Sequence, residues 1–221
     1  MALVFLVRHG LTAQTGHRLY GRTAGIDLDA RGRAQAEQLV SRFEGVRLTA
    51  VYSSPLERCV QTVAPLAAAR RLTIRTDPGL IEMDAGDWTG RTLAQLRRTS
   101  AWRTVQRTPS AFVFPGGGEA FTDAQSRAVG AIERIARRHR RGAVVLATHG
   151  DIVRIVVARL LGTPLDEFQR IVIDTVGVTA VVLGGERAHV LLVNDTGGLA
   201  RFRVEPPPGE NAPRGRRKVR G

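Results

Sequence analysis

The chain has 221 residues, 43% of them apolar, a formal charge of +13 and a single cysteine, Cys59. That length suits one domain with enough core to fold alone, and one thiol excludes an internal disulfide framework. No Cys/His cluster has the spacing of a structural zinc site, no apolar run reaches membrane-spanning length and no basic leader precedes the first strand pattern, so the sequence reads as a soluble cytoplasmic protein without metal or cofactor.

The predicted elements alternate. Leu3 to Val7 is a short apolar strand, and Ala30 to Phe43 carries Ala34, Leu39, Val40 and Phe43 among charges as an amphipathic helix. Ala50 to Ser53 is a second strand. Pro55 opens a helix to about Ala69 that Pro65 kinks or splits, and Leu72 to Arg75 is a third strand. Alternation fails between Ala85 and Glu119, where Trp88, Trp102, Phe112, Phe114 and the triplet Gly116-Gly117-Gly118 stand in a segment too long for an ordinary connection. Such inserts are lids or binding loops, so helical structure around Thr92 to Arg107 is expected to roof a site, with its aromatic residues serving an organic leaving group or ordinary packing.

Phe121 to Arg141 has helical spacing and stops at Gly142; Ala143 to Thr148 is a strand; Ile152 to Leu161 is a buried helix closed by Gly162 and Pro164. Strands at Ile171 to Asp174, Val176 to Leu183 and His189 to Val193 complete the sheet, the last two joined at Gly184-Gly185 as an antiparallel hairpin. The alternation predicts an α/β fold with a mainly parallel sheet covered on both faces. From Arg201 onward there are seven basic and two acidic residues around Pro206-Pro207-Pro208. This composition predicts a disordered tail, with an electrostatic arm for nucleic acid or acidic partners as the less favoured reading.

Two apolar strands end in histidine. Arg8-His9-Gly10 follows the first, and His149-Gly150 follows Ala143 to Thr148. Open α/β sheets keep their chemistry at the C-terminal ends of strands, so two strands delivering histidines to one crevice make a candidate site. Arg58 lies about one turn inside the helix after Ser53-Ser54-Pro55, from which an arginine can reach strand ends and clamp a phosphate. Glu82 adds an acid. Of the other histidines, His17 reads as a loop residue near the site or at the surface, His139 as a solvated helix face and His189 as structural. Cys59 reads as a small buried hydrophobe.

Taken in order, Arg8-His9-Gly10 with Thr12, Arg18-Leu19-Tyr20-Gly21, Ser53-Ser54-Pro55-Leu56-Glu57-Arg58, Glu82 with Gly86-Asp87-Trp88-Thr89-Gly90, and His149-Gly150 resemble the histidine phosphatase, or phosphoglycerate mutase-like, superfamily. Asp84-Ala85-Gly86-Asp87-Trp88-Thr89-Gly90, Phe168-Gln169-Arg170-Ile171-Val172 and Val193-Asn194-Asp195-Thr196-Gly197-Gly198 are similar to an actinobacterial group of phosphomutase-like proteins within it. The resemblance implies a three-layer α/β/α sandwich with one antiparallel edge, a domain over residues 1–204 with a lid insertion at 85–120, and a basic tail at 205–221. It also implies a phosphatase acting on a small phosphorylated metabolite. His9 would become phosphorylated, Glu82 would act as proton donor, and Arg8, Arg58 and His149 would surround the phosphoryl group. Thr12, Thr15, Tyr20, Gly21 and Gly150 would complete the substrate site.

The sequence departs from the family pattern at Leu11 and Thr15, where Glu or Gln and Asn are common, and at Ala120, where Ser is common. Met83-Asp84-Ala85-Gly86 replaces the Arg-His-Tyr-Gly of cofactor-dependent mutases, which favours a hydrolase. A phosphoglycerate-type mutase is the alternative within enzymes; a basic binding protein without turnover is the alternative outside them.

Overall fold

The computed structural model describes residues 1–197 and contains a six-stranded sheet in the order β3-β2-β4-β1-β5-β6. The strands are β1 (Ala2–Arg8), β2 (Leu48–Ser53), β3 (Ile74–Thr76), β4 (Ala143–Thr148), β5 (Val178–Leu183) and β6 (His189–Asp195). β1 to β4 run parallel, and β5 pairs antiparallel with both β1 and β6. Parallel neighbours require crossover helices, and these cover both faces. Val7, Val51, Val145 and Ala147 pack with α1 (Ala30–Arg42) and α2 (Glu57–Ala69), through Leu39, Cys59, Val63 and Leu66. Val4, Leu6, Val144 and Leu146 point the other way, against Ile132 and Ile135 of α5 (Phe121–Arg138) and Val153, Val156 and Val157 of α6 (Gly150–Leu161). Alternation of side chains across a strand makes this division, and coverage of both faces explains why β1 and β4 read as continuous apolar runs. Each fully buried Val, Leu or Ile contributes roughly 1.5–3 kcal/mol.

This topology places the candidate site. β1 and β4 lie side by side in register, Arg8 opposite Thr148, and the ladder continues one residue further as His9 N–H donates to the Thr148 carbonyl at 2.9 Å. The chain after β1 turns to the α1/α2 face while the chain after β4 turns to the α5/α6 face, so the strand ends part into a crevice. Close approach there depends on glycine. A Cβ on Gly32 would strike the Leu11 carbonyl, and one on Gly10 would lie 2.9 Å from the Gly32 carbonyl.

Several expectations are corrected. Ile171 to Asp174 is no strand, because Arg8 takes the Ile173 carbonyl (2.7 Å) and Asn194 Oδ1 takes the Asp174 N–H (2.7 Å), leaving no ladder to form. β5 begins at Val178 and not at Val176, whose φ of 56° breaks the extended chain. α1 buries Gly32, Ala36 and Leu39, while Ala34 is exposed. Pro65 sits inside an unbroken α2, and the Ser54 to Leu56 segment precedes that helix. β3 starts at Ile74, two residues after Leu72, because Leu72 N–H still closes onto the Ala67 carbonyl of α2. α5 ends at Arg138, where the His139 N–H closes onto the Ala136 carbonyl. α6 starts at Gly150, immediately after the histidine. The insert carries two short helices, α3 (Leu93–Leu96) and α4 (Ser100–Arg107). The expected tail, 205–221, lies outside the described residues, among which no helix is long and apolar enough to cross a membrane.

Candidate active site

His9 is held at the end of β1 with 9% exposure, and its Nδ1–H donates to its neighbour's carbonyl, Gly10 O, at 2.8 Å. A carbonyl only accepts, so the bond fixes the proton on Nδ1 and leaves a lone pair on Nε2. Thr62 of α2 supports the turn by accepting from Gly10 N–H at 2.9 Å. Burial, with the Arg58 and Arg8 charges adding to it, lowers the His9 pKa to about 3. The ring is therefore neutral at physiological pH.

Arg8 is clasped by the loop after α6: its backbone pairs with Val176 and Gly177, its Nη1 donates to Ile173 O, and its stem lies against Gly150, where a Cβ would come within 3.0 Å of Nε. Arg8 Nε is buried without a partner and the side chain lines the crevice. Burial lowers the Arg8 pKa, with the Asp151 carboxylate opposing the shift. Arg58 is not the surface residue its position on a helix would suggest. It is 4% exposed and its guanidinium donates to the carbonyls of Gly21 (2.9 Å) and Thr23 (3.3 Å). In the loop after His9 the Thr12 and Thr15 hydroxyls bond each other at 3.0 Å.

His149 lies against His9, ring centroids 5.3 Å apart in an edge-to-face arrangement. It is fully buried and absent from the crevice wall, unlike the other expected site residues. Its Nε2 is 2.9 Å from Ser54 Oγ and 3.4 Å from Cys59 Sγ, and its Nδ1 is 3.8 Å from Glu82 Oε2. Burial, reinforced by His9 and Arg58, pushes the His149 pKa well down, while burial pushes the Cys59 thiol up. Both side chains are thus held uncharged. Glu82 keeps 18% of its side chain exposed, on the crevice wall. Burial and the nearby Asp151 raise its pKa to about 7, so a proton is available near neutrality.

The backbone on either side of Glu82 is gripped by two arginines. Arg127 donates to Gly79 O and Ile81 O, both at 2.9 Å, and Arg22 donates to Glu82 O at 3.0 Å. Glu119 joins the pair, bridging Arg127 (2.8 and 2.9 Å) and Arg22 (3.0 Å). Nothing in the sequence pattern marks this brace, since Arg22 and Glu119 are 97 residues apart.

These groups line a cavity of about 420 Å³, with Arg8, His9, Arg58 and Glu82 at its polar end and Thr12, Thr15, Tyr20, Gly21 and Gly150 on its walls. Asp151 and Arg154, joined at 3.0 Å, also line it. Their place in the first turn after His149-Gly150 is the signal that could have found them. The insert supplies the roof: Trp88 and Phe114 belong to the main core and still face the cavity, with Trp102 partly exposed beside them. Ordinary packing, one of the two expected uses, accounts for Trp88 and Phe114, and these rings also line the cavity. His17 is exposed and His189 lies exposed on the edge strand. His139, expected on a solvated helix face, is half-buried just after α5, where its ring meets Tyr52 edge-to-face (5.7 Å between centroids) with its Nε2 3.0 Å from the phenol oxygen. Among the described residues no group of His, Cys, Asp or Glu is arranged to hold a metal ion.

The chain is similar to known proteins over most of its length. Phosphoserine phosphatase 1 of Hydrogenobacter thermophilus is 30% identical over 210 residues, covering 93% of this chain and 98% of that protein. Adenosylcobalamin/alpha-ribazole phosphatase of Escherichia coli is 28% identical, covering 86% of this chain and 95% of its own length. Among solved structures, Bacillus stearothermophilus YhfR superposes with a TM-score of 0.82 at 29% identity, over 92% of this chain and all of that one. The family model for branch 1 of the histidine phosphatase superfamily matches residues 4–196, and the chain belongs to that superfamily.

Proposed function

We propose that the protein is a phosphomonoester phosphatase that works through a phosphohistidine on His9. The observation that carries this reading is the His9 Nδ1–H bond to Gly10 O at 2.8 Å, which aims a neutral imidazole's free lone pair at a crevice lined by Arg8 and Arg58. Nε2 attacks phosphorus and the bond to the leaving oxygen breaks. Arg8, Arg58 and the N-terminal amides of α6 stabilise the charge on the transferring group. Glu82, holding a proton near neutrality, gives it to the departing alkoxide. Water then attacks the phosphohistidine, Glu82 takes its proton, the N–P bond breaks and phosphate leaves. His149 stands behind His9 as a neutral ring that fixes the spacing between the nucleophile and Glu82.

Hydrolysis is favoured over phosphoglycerate-type transfer because the place after Glu82 holds Met83 and Asp84, and Asp84 pairs with Arg22 at 3.6 Å in place of presenting cations to a second phosphate. A binding protein without turnover would have no use for a proton-bearing carboxyl facing an unprotonated imidazole. Phosphate release from p-nitrophenyl phosphate, measured with and without bisphosphoglycerate and 3-phosphoglycerate, tests the choice. Release independent of these additions supports the phosphatase. Isomerisation of phosphoglycerates without release would replace it with the mutase.

A further inference from the structure

We infer that this site, granted the phosphatase reading, takes phosphomonoesters of bulky apolar alcohols, preferably aromatic, and discriminates against small phosphorylated hydroxy acids. The cavity is divided. Its phosphoryl end is charged, but the rest of its lining includes Leu19, Leu93, Trp102, Val105, Phe114 and Phe168, with the neutral amides of Gln14, Gln106 and Gln169. Leu19, Leu93 and Trp102 remain partly exposed, so apolar surface is available there to a leaving group.

This wall is fixed in advance. Trp102 stacks on Trp88 with centroids 6.2 Å apart and planes 25° from parallel. Its helix, α4, is tied to the segment after α6 by Gln169 Nε2 donating to Val105 O at 2.9 Å, and the following turn by Ser110 N–H donating to Asp166 Oδ1 at 2.8 Å. A preformed aromatic wall loses little entropy when a ring docks on it.

The cations beyond the phosphoryl end already have one partner each. Arg154 is paired with Asp151 at 3.0 Å, and Arg18 donates to Gly90 O at 2.8 Å at the rim. A substrate carboxylate there would meet the Asp151 charge beside Arg154. An apolar ring meets no such cost.

Steady-state kinetics with 2-phenylethyl phosphate, phosphoserine and 3-phosphoglycerate test the inference, all three being primary alkyl esters so that leaving-group chemistry is similar. The expected kcat/KM is at least about tenfold higher for 2-phenylethyl phosphate. Trp102→Ala should lower that value about tenfold, mainly through KM, and leave phosphoserine within about twofold. Trp102→Leu, which keeps an apolar filling, should recover part of the loss. Release of phosphate with phosphoserine or 3-phosphoglycerate preferred, and the preference abolished by Arg18→Ala, would overturn the inference and leave the phosphatase reading intact. No release from any ester, with no acid-labile phosphoenzyme formed from p-nitrophenyl phosphate, would remove both.

Discussion

At the floor of the cavity His9 and Arg8 are held by strand ladders and backbone carbonyls, whereas in the roof Trp88, Trp102 and Phe114 are held by one another. The floor fixes single atoms: one proton on His9 Nδ1, one guanidinium edge on Gly21 and Thr23. The roof fixes only a surface. Directional bonds suit a site where charge develops during reaction, and dispersion between rings suits a wall that a leaving group merely touches. Floor substitutions should therefore act on kcat and roof substitutions on KM.

Breaking the floor should have the largest effects. Glu82→Gln removes the proton donor and should lower kcat for alkyl esters by about 10²–10⁴-fold, with a smaller loss for p-nitrophenyl phosphate, whose leaving group needs no proton. Because the Glu82 pKa is raised to about 7, the wild-type rate with alkyl esters should fall about tenfold per pH unit above that point, and Glu82→Gln should flatten this limb. Arg58→Ala removes a charge from the phosphoryl end and should cost about 10²–10³ in kcat/KM. A uniform loss in KM alone for both variants would erase the distinction between floor and roof.

Smaller effects sharpen it. Glu119→Gln loosens the arginine pair that grips the backbone around Glu82 and should lower kcat for alkyl esters about tenfold, with p-nitrophenyl phosphate nearly unchanged. Equal losses on both substrates would mean that Glu119 acts on folding and not on the acid. Stability should also respond to acid. His9 has a folded pKa of about 3 against 6.5 unfolded, so below pH 6.5 the unfolded chain binds more protons and stability falls as pH drops. The slope is about 1.4 kcal/mol per unit for each such histidine. His9→Ala should make urea-midpoint loss between pH 6.5 and 4 shallower; an unchanged slope would contradict neutral burial of the ring.

The floor was legible in the sequence because its parts are local: an apolar strand, then His-Gly, twice, and Arg58 at the start of the helix that follows a strand. The roof was legible only as an irregular aromatic stretch, since which ring faces the cavity depends on packing among Trp88, Phe112, Phe114 and Phe121. Ile171 to Asp174 was misread because its backbone groups are consumed by the Arg8 and Asn194 side chains, which no apolar pattern can announce. The Arg22–Glu119–Arg127 brace was invisible for the same reason. Its members meet only after the sheet has formed.

The most direct measurement is to quench the enzyme in base during turnover of ³²P-labelled ester and map the retained label. Acid-labile, base-stable phosphate on the peptide containing His9, absent from His9→Ala, is the expected result. Label on another residue, or full turnover by His9→Ala, would contradict it.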